Sequence, residues 1–356
     1  MISRPGRLRP FSPLPPPSGI LGSRCIDRKH VTRKALLIGC TYGLEQFASR
    51  KDDQMKGTHV DVDKFRDLLI GTMYFDKDDI VIMKDALETS PYLWPTKANI
   101  EREIHRFVQG ASAGDIHFIF YGGHGYQKFN ANSTEADKKD EHVVPCDAVG
   151  PNGFIEGAMI VDDVLKNILV MPLAAVGAKL TAVFDCCHSG TVLDLSHYRC
   201  NDCTSWTMIF CRLYRFIASD VSVNLNLLRP RTVERFIAAS HLDPPIEDCR
   251  GFCLISDRRG PGYVVCISAC RDEEMAWGGA KGGALSRAIM SALQTDPEPT
   301  LKELSISINA TVQVNSRKVT ERRKREQNPS KVVQHPQFSS LCPLVSRTSA
   351  GSQCSL

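Results

Sequence analysis

Two short apolar runs, each breaking into a turn of glycine and reactive side chains, constrain this chain most. Residues 116–121 (IHFIFY) run straight into Gly-Gly-His-Gly, and residues 179–184 (KLTAVF) run straight into Asp-Cys-Cys-His-Ser-Gly. Runs of this length with apolar side chains on both faces read as buried strands, the kind that fill parallel sheets. Residues 34–40 (KALLIGC), 80–83 (IVIM) and 262–268 (GYVVCIS) read the same way. Between them the period changes. Val62, Phe65, Leu68 and Leu69 fall at helical spacing within 60–70. Thr96 can cap a helix through Ile100, Ile104 and Phe107 that stops at Gly110. Residues 162–168, 284–293 and 300–312 also read as helices. Strands alternating with helices predict an α/β fold with a mostly parallel central sheet flanked by helices.

The rest of the chain is less regular. Residues 1–33 form a Pro- and Arg-rich arm, expected to be disordered because proline removes donors and blocks helix. Residues 34–197 read as a large catalytic region, 198–260 as an irregular linker or insert, 261–345 as a small region and 346–356 as a loose tail. The chain has 356 residues, of which 42% are hydrophobic and 24% charged, a globular balance. A net charge of +4 gives no reason to expect a nucleic-acid or membrane partner. The basic run at 317–325 (RKVTERRKR) reads as a solvated helix face or loop. Residues 168–178 form the longest apolar run, but they hold Pro172 and are too few to span a bilayer. No apolar signal segment opens the chain, so a cytoplasmic location, with the nucleus also open to it, is expected. In that reducing setting the 14 cysteines stay as free thiols. Among Cys200, Cys203, Cys211, Cys249 and Cys253, a CxxC with a later CxxxC could bind zinc, but the irregular spacing makes chance the stronger reading.

Chemistry concentrates at the two strand ends. Active sites in open parallel sheets form at the carboxyl ends of strands. If the two runs are neighbours, His124 and Cys187 emerge at one edge. A thiol is a weak nucleophile until deprotonated, and a positioned imidazole can take its proton and return it to the leaving amine. The N–H groups of Gly125 and Cys187 can hold the oxyanion of a tetrahedral intermediate. Cys186 should point away from Cys187, because side chains alternate along an extended segment. His188 is too close in sequence to serve as its base and reads as structural. Ser189 lies outside a nucleophile elbow and is a poor alternative nucleophile.

These residues resemble the metacaspases, especially the fungal type I proteins. The likeness lies in FIFYGGHGYQ and AVFDCCHSGTVLDL, with support from KALLIGC, VVPCDAVGPNG, IVDDVL, VVCISACRDEEMAW and QHPQFSSLCPL. It covers roughly 34–197 and 262–344. The resemblance implies a caspase-like (caspase–hemoglobinase) α/β sandwich and a cysteine endopeptidase that cuts after Arg or Lys. Asp61 and Asp185 match the family's substrate-binding aspartates, and carboxylates suit a guanidinium. Thr58 stands where the family has a cysteine, and Gly122 where it has a serine. Calcium is implied as an activator, with Asp140, Asp162, Asp163 and Asp194 as ligands. A monomeric zymogen with protein or peptide substrates is implied too. So are self-processing within 198–260 and a role in regulated cell death or proteostasis. The alternative is a catalytically inactive caspase-like regulatory or scaffolding protein. The odd 198–260 stretch favours it, and the presence of both His124 and Cys187 opposes it.

Overall fold

The computed structural model describes residues 31–47, 51–131, 138–198, 201, 263–325 and 332–342. The arm up to residue 30, nearly all of the 198–260 insert and the tail at 346–356 lie outside the described residues.

Strands β1 (Arg33–Gly39), β2 (Ile80–Lys84) and β3 (Ile116–Gly122) come first. β4 (His124–Phe129), β5 (Lys139–Val144) and the short β6 (Val149–Gly150), β7 (Gly153–Phe154) and β8 (Ile160–Val161) follow. β9 (Lys179–Asp185), β10 (Tyr263–Ser268), the glycine pairs β11 (Gly278–Gly279) and β12 (Gly282–Gly283), and β13 (Gln337–Ser340) complete the set. Six of them form one sheet in the order β13-β10-β9-β3-β1-β2. All its pairs are parallel except β10 with β13. The expected large and small regions therefore share one sheet, because β10 adds directly to β9.

Strand alternation divides the apolar residues between two faces. Leu36, Ile38, Ile119, Leu180, Ala182 and Phe184 join one buried cluster with Ile100, Ile104 and Phe107 of α2 (Lys97–Val108). Leu37, Phe118, Phe120, Val183, Val265 and Ile267 join another with α1 (Thr58–Gly71). There Phe65 of α1 packs on Phe118 and Phe120, with ring centroids 5.6 and 4.5 Å away. The result is a sheet covered on both sides by helices, as the alternating pattern predicts. Thr96 caps α2 as expected, its Oγ1 accepting the N–H of Asn99 at 3.3 Å.

Two helices run past their predicted ends. The helix expected over 162–168 begins as α3 (Asp162–Leu165), widens into a π turn at Lys166–Val170 and continues as α4 (Met171–Val176). Pro172 cannot donate a backbone hydrogen bond, but it sits at the start of α4, just after the wide turn, where a missing donor is tolerated. After α5 (Ala284–Thr295), α6 (Leu301–Arg325) carries the helix expected over 300–312 on for several turns. It opens with a capping box. Thr300 N–H donates to Glu303 Oε2 at 2.9 Å, and Glu303 N–H donates back to Thr300 Oγ1 at 3.3 Å. The basic run 317–325 forms the last turns of α6, where cations complement the helix dipole.

The Ser340 end of the β13 edge is bonded from within the chain. His197 N–H donates to the Ser340 carbonyl at 3.1 Å, and Ser340 N–H donates to that of His197 at 3.2 Å. Among the described residues, no helix is long and apolar enough to cross a membrane.

Candidate active site

β3 and β9 pair in parallel with Gly122 opposite Asp185. His124 and Cys187, each two residues further on, therefore emerge side by side at the carboxyl edge of the sheet. They line one cavity of about 220 Å³ with Thr58, Asp61, Asp185 and Trp277.

His124 is held from several directions. Its N–H donates to the Tyr42 hydroxyl at 2.7 Å. The Tyr121 hydroxyl is shared between the carbonyls of His124 (2.9 Å) and Val144 (2.8 Å). The imidazole contacts two rings, stacked on Tyr42 at 4.7 Å and tilted against Phe154 at 5.4 Å. Nε2 sits 2.7 Å from the Asp53 carbonyl oxygen. A carbonyl can only accept, so the proton is on Nε2 and the lone pair is on Nδ1. Burial lowers the pKa of His124 below its usual 6.5, which keeps the ring neutral and able to accept a proton.

Cys187 is half-buried, and its Sγ accepts the N–H of Ala276 at 3.3 Å. Burial raises its pKa, and the Ala276 N–H opposes that rise. Both members of the dyad therefore rest neutral. No hydrogen bond joins them among the described residues, a common looseness in substrate-free sites. Cys186 belongs to the apolar cluster and is 2% exposed. Ser189 is fully buried, donates to the Cys186 carbonyl at 2.9 Å and accepts the Ala269 N–H at 3.2 Å. It braces the loop and cannot reach a substrate. His188 is structural too, its Nδ1 bonded to the Asp272 carbonyl. Gly125 lies against the nucleophile's backbone, so close that a Cβ there would stand 1.9 Å from the Cys187 oxygen. Only glycine fits, and the two residues expected to form the oxyanion site are in contact.

The two pocket aspartates are brought together. Asp185 Oδ2 accepts the N–H (2.9 Å) and Oγ–H (2.7 Å) of Ser286. Asp61 Oδ2 accepts the Gly283 N–H at 2.7 Å. Asp61 Oδ1 is buried and has no hydrogen-bond partner among the described residues. Burial first, then the nearby Asp185 charge, push the Asp61 carboxyl up to about 7. Backbone rather than side chain covers both groups. A Cβ on Gly282 would meet Asp61 Oδ1 at 1.9 Å, and one on Gly283 would meet Asp185 Oδ2 at 2.0 Å. Thr58 gives its hydroxyl proton to the Cys40 carbonyl at 3.0 Å.

Of the four acids expected to hold a metal, three converge. Carboxylate oxygens of Asp162, Asp163 and Asp194 lie within 4.8 Å of one another. Burial, then the Asp194 charge, push Asp162 up to about 7. Asp140 is not among them. Its carboxylate accepts from Asn130 Nδ2 at 2.7 Å instead. Alternation along β5 turns its neighbour Glu141 inward, where the Glu141 N–H donates to Asp162 Oδ2 at 2.7 Å. Glu141 is fully buried, and burial with the Asp272 charge pushes it up to about 8. Its Oε2 accepts from Thr191 Oγ1 at 2.9 Å, and the Thr191 N–H donates to Asp272 Oδ1 at 2.9 Å. Hydrogen bonds therefore run from the acidic cluster to the loop that carries His188 and Cys187.

Sequence reasoning did not single out Tyr42, Tyr121, Asp53, Ala276, Phe154 or Glu141. Tyr42 and Tyr121 had a signal, since each sits at the end of a buried strand beside a glycine turn. Asp53 and Ala276 act through backbone atoms and had none.

Residues 33–196 match the family described as "Metacaspase, peptidase C14 domain". Metacaspase-1A of Aspergillus niger is 30% identical over 94% of this chain and 78% of its own. Metacaspase-1 of Sclerotinia sclerotiorum is 29% identical over 94% of this chain and 73% of its own. Among solved structures, caspase-1 from Spodoptera frugiperda aligns over 87% of each chain with a TM-score of 0.46 and 10% identity. Matched along most of its length to the Aspergillus niger and Sclerotinia sclerotiorum proteins, with a cysteine and a histidine lining one cavity at the edge of a parallel sheet, the chain belongs to the metacaspase family of cysteine endopeptidases.

Proposed function

We propose that the enzyme cleaves peptide bonds after arginine or lysine. The orphaned Asp61 Oδ1 carries this reading. A buried carboxylate oxygen without a donor is costly. Asp61 lines the cavity that holds Cys187, close to a second carboxylate, Asp185. A guanidinium or ammonium supplies the missing donors, and arginine can engage a carboxylate through two parallel bonds. An aspartate side chain there would add a third negative charge.

With the cation seated, the scissile carbonyl lies by Cys187. Nδ1 of His124 takes the Sγ proton as the S–C bond forms, and the N–H groups of Gly125 and Cys187 hold the oxyanion. Collapse breaks the C–N bond, and the amine leaves with the proton from His124. A thioester remains. His124 then takes a proton from water, the hydroxide oxygen attacks the thioester carbon, and the thiol is restored as the acid departs.

Asp162, Asp163 and Asp194 fit a hard divalent cation such as calcium, because their carboxylate oxygens lie within 4.8 Å of one another and burial, then the Asp194 charge, press Asp162 toward its protonated form. Bound there, calcium would neutralise this cluster. The family likeness supports a monomer, and the His197 backbone already occupies the Ser340 end of the β13 edge. The family likeness supports zymogen self-processing within 198–260, a cytoplasmic setting and a role in regulated cell death or proteostasis.

The test is hydrolysis of fluorogenic peptides ending in Arg, Lys or Asp, with and without calcium, by wild type and Cys187→Ala. The reading expects cleavage after Arg and Lys, stimulated by calcium and lost in the variant. Cleavage after Asp but not Arg would overturn the specificity.

A further inference from the structure

A peptide bond breaks by releasing an amine, and His124 must give that amine a proton. The residue carrying the amine is the first one after the scissile bond. It therefore comes within hydrogen-bonding reach of the imidazole, and the neighbours of the imidazole decide what its side chain meets.

One face of the ring is closed by Tyr42, which is fully buried. The Nε2 edge is closed by the Asp53 carbonyl. Phe154, which is 36% exposed, stands tilted against the imidazole with ring centroids 5.4 Å apart. Tyr126 stands edge-on to Phe154 at 5.7 Å and is itself half-buried. Together they present an aromatic surface that opens to solvent beside the base. Phe154 is placed by a hairpin. β6 and β7 pair Val149 with Phe154, and the Ile155 N–H donates to the Ala148 carbonyl at 2.8 Å. Two nearby charges, Lys128 of β4 and Glu156 of the turn after β7, are bonded to each other. The surface therefore offers aromatic contact and no unbalanced charge from that pair.

We propose that Phe154, flanked by Tyr126, forms the subsite for the residue immediately after the scissile bond and selects an aliphatic or aromatic side chain there. The subsite is separate from the Asp61–Asp185 pocket, which takes the residue before the bond. It follows from where the base stands and holds whatever that pocket prefers.

Digestion of a proteome-derived peptide library, with cut sites read by mass spectrometry, tests it with the whole chain. Wild type should favour Leu, Ile, Met, Phe and Tyr over Asp, Glu and Gly after the cut by about tenfold, the discrimination a partly exposed apolar pocket supports. Phe154→Leu should keep that preference. Phe154→Ser should flatten it, and Phe154→Lys should turn it toward Asp and Glu. Residues before the cut should not change in any variant, and their distribution separately reports on the arginine and lysine reading. A wild-type profile with no preference after the cut would overturn the proposal. So would Ser and Lys variants that cut more slowly with an unchanged profile, since Phe154 would then only position His124.

Discussion

Asp61→Asn should make the enzyme worse at its work and the fold more stable. The folded protein raises this carboxyl from its usual 3.8 to about 7, chiefly by burial and then by the neighbouring Asp185 charge. At about 1.4 kcal/mol per pH unit, ionising Asp61 in the empty pocket costs about 4 kcal/mol. The sign follows from proton counts. Between 3.8 and about 7 the native state holds a proton that the unfolded chain has released. Stability therefore falls as pH rises through that window, and the full cost stands above it. Below the window both states are protonated and the group contributes nothing. Asparagine keeps an oxygen for the Gly283 N–H and never ionises. The variant should unfold at a higher Tm than wild type near pH 8, with no such gain near pH 4. Recovering even about 2 kcal/mol would raise Tm by several degrees. Losing one partner of a buried charge pair costs about 3 kcal/mol, so kcat/KM for an arginyl peptide should fall roughly a hundredfold. Wild type should also lose kcat/KM below about pH 7 as free Asp61 protonates, while kcat holds to lower pH because bound guanidinium draws the carboxyl back down. Thermal unfolding at the two pH values and a pH series of initial rates measure all of this. Equal Tm for the two proteins near pH 8, or arginyl cleavage untouched by the substitution, would refute the reasoning.

Other perturbations separate the parts of the site. Gly125→Ala puts a Cβ 1.9 Å from the Cys187 oxygen. The nucleophile must shift, and a displacement of about 1 Å costs about a hundredfold, so kcat should collapse while circular dichroism stays native. Tyr42→Phe strips the acceptor from the His124 N–H. Leaving that donor unmet costs about 1–3 kcal/mol, read as a lower denaturation midpoint together with a lower kcat. Calcium at about a hundred times its Kd should add about 2.7 kcal/mol to wild-type stability. Asp194→Asn should abolish that gain and Asp140→Asn should keep most of it, as seen in thermal shifts; equal losses would sink the three-aspartate site.

The sheet was legible because buried parallel strands declare themselves as unbroken apolar runs, and His124 and Cys187 were legible because each ends such a run. What stayed hidden depended on facing and register. Asp140 is implied as a ligand by the resemblance alone, and register decides otherwise: its carboxylate bonds Asn130 while the next residue, Glu141, turns inward toward Asp162. Tyr42 reaches His124 only because β1 and β3 pair with Gly39 level with Gly122, a register no local pattern reveals. α6 outruns its amphipathic signal because Val312 is its last buried residue, and beyond it the helix is wet on most sides. The helix from Asp162 runs on past 168 because Pro172 falls at the start of α4, just after the wide turn, where a missing donor is tolerated.

Burial moves the site's groups in one chemical direction. It raises the Cys187 thiol, lowers the His124 imidazole and raises the Asp61 and Asp185 carboxyls, each toward its neutral form. The resting site is therefore not a thiolate–imidazolium pair, and its proton must move as the S–C bond forms. Alkylation by iodoacetamide distinguishes the two cases. An ion pair reacts at a plateau rate from mildly acidic pH upward, because the thiolate is already present. A neutral thiol lifted above its ordinary 9.0 reacts slowly at neutral pH, and the rate climbs through the alkaline range. The rate of Cys187 modification, followed by mass spectrometry of the labelled peptide, should rise about tenfold per pH unit across neutrality. His124→Ala should leave that slope in place, since the imidazole does not hold the proton at rest. A flat profile from about pH 6 that depends on His124 would show that the charges are separated before substrate arrives, and the general-base route would fail.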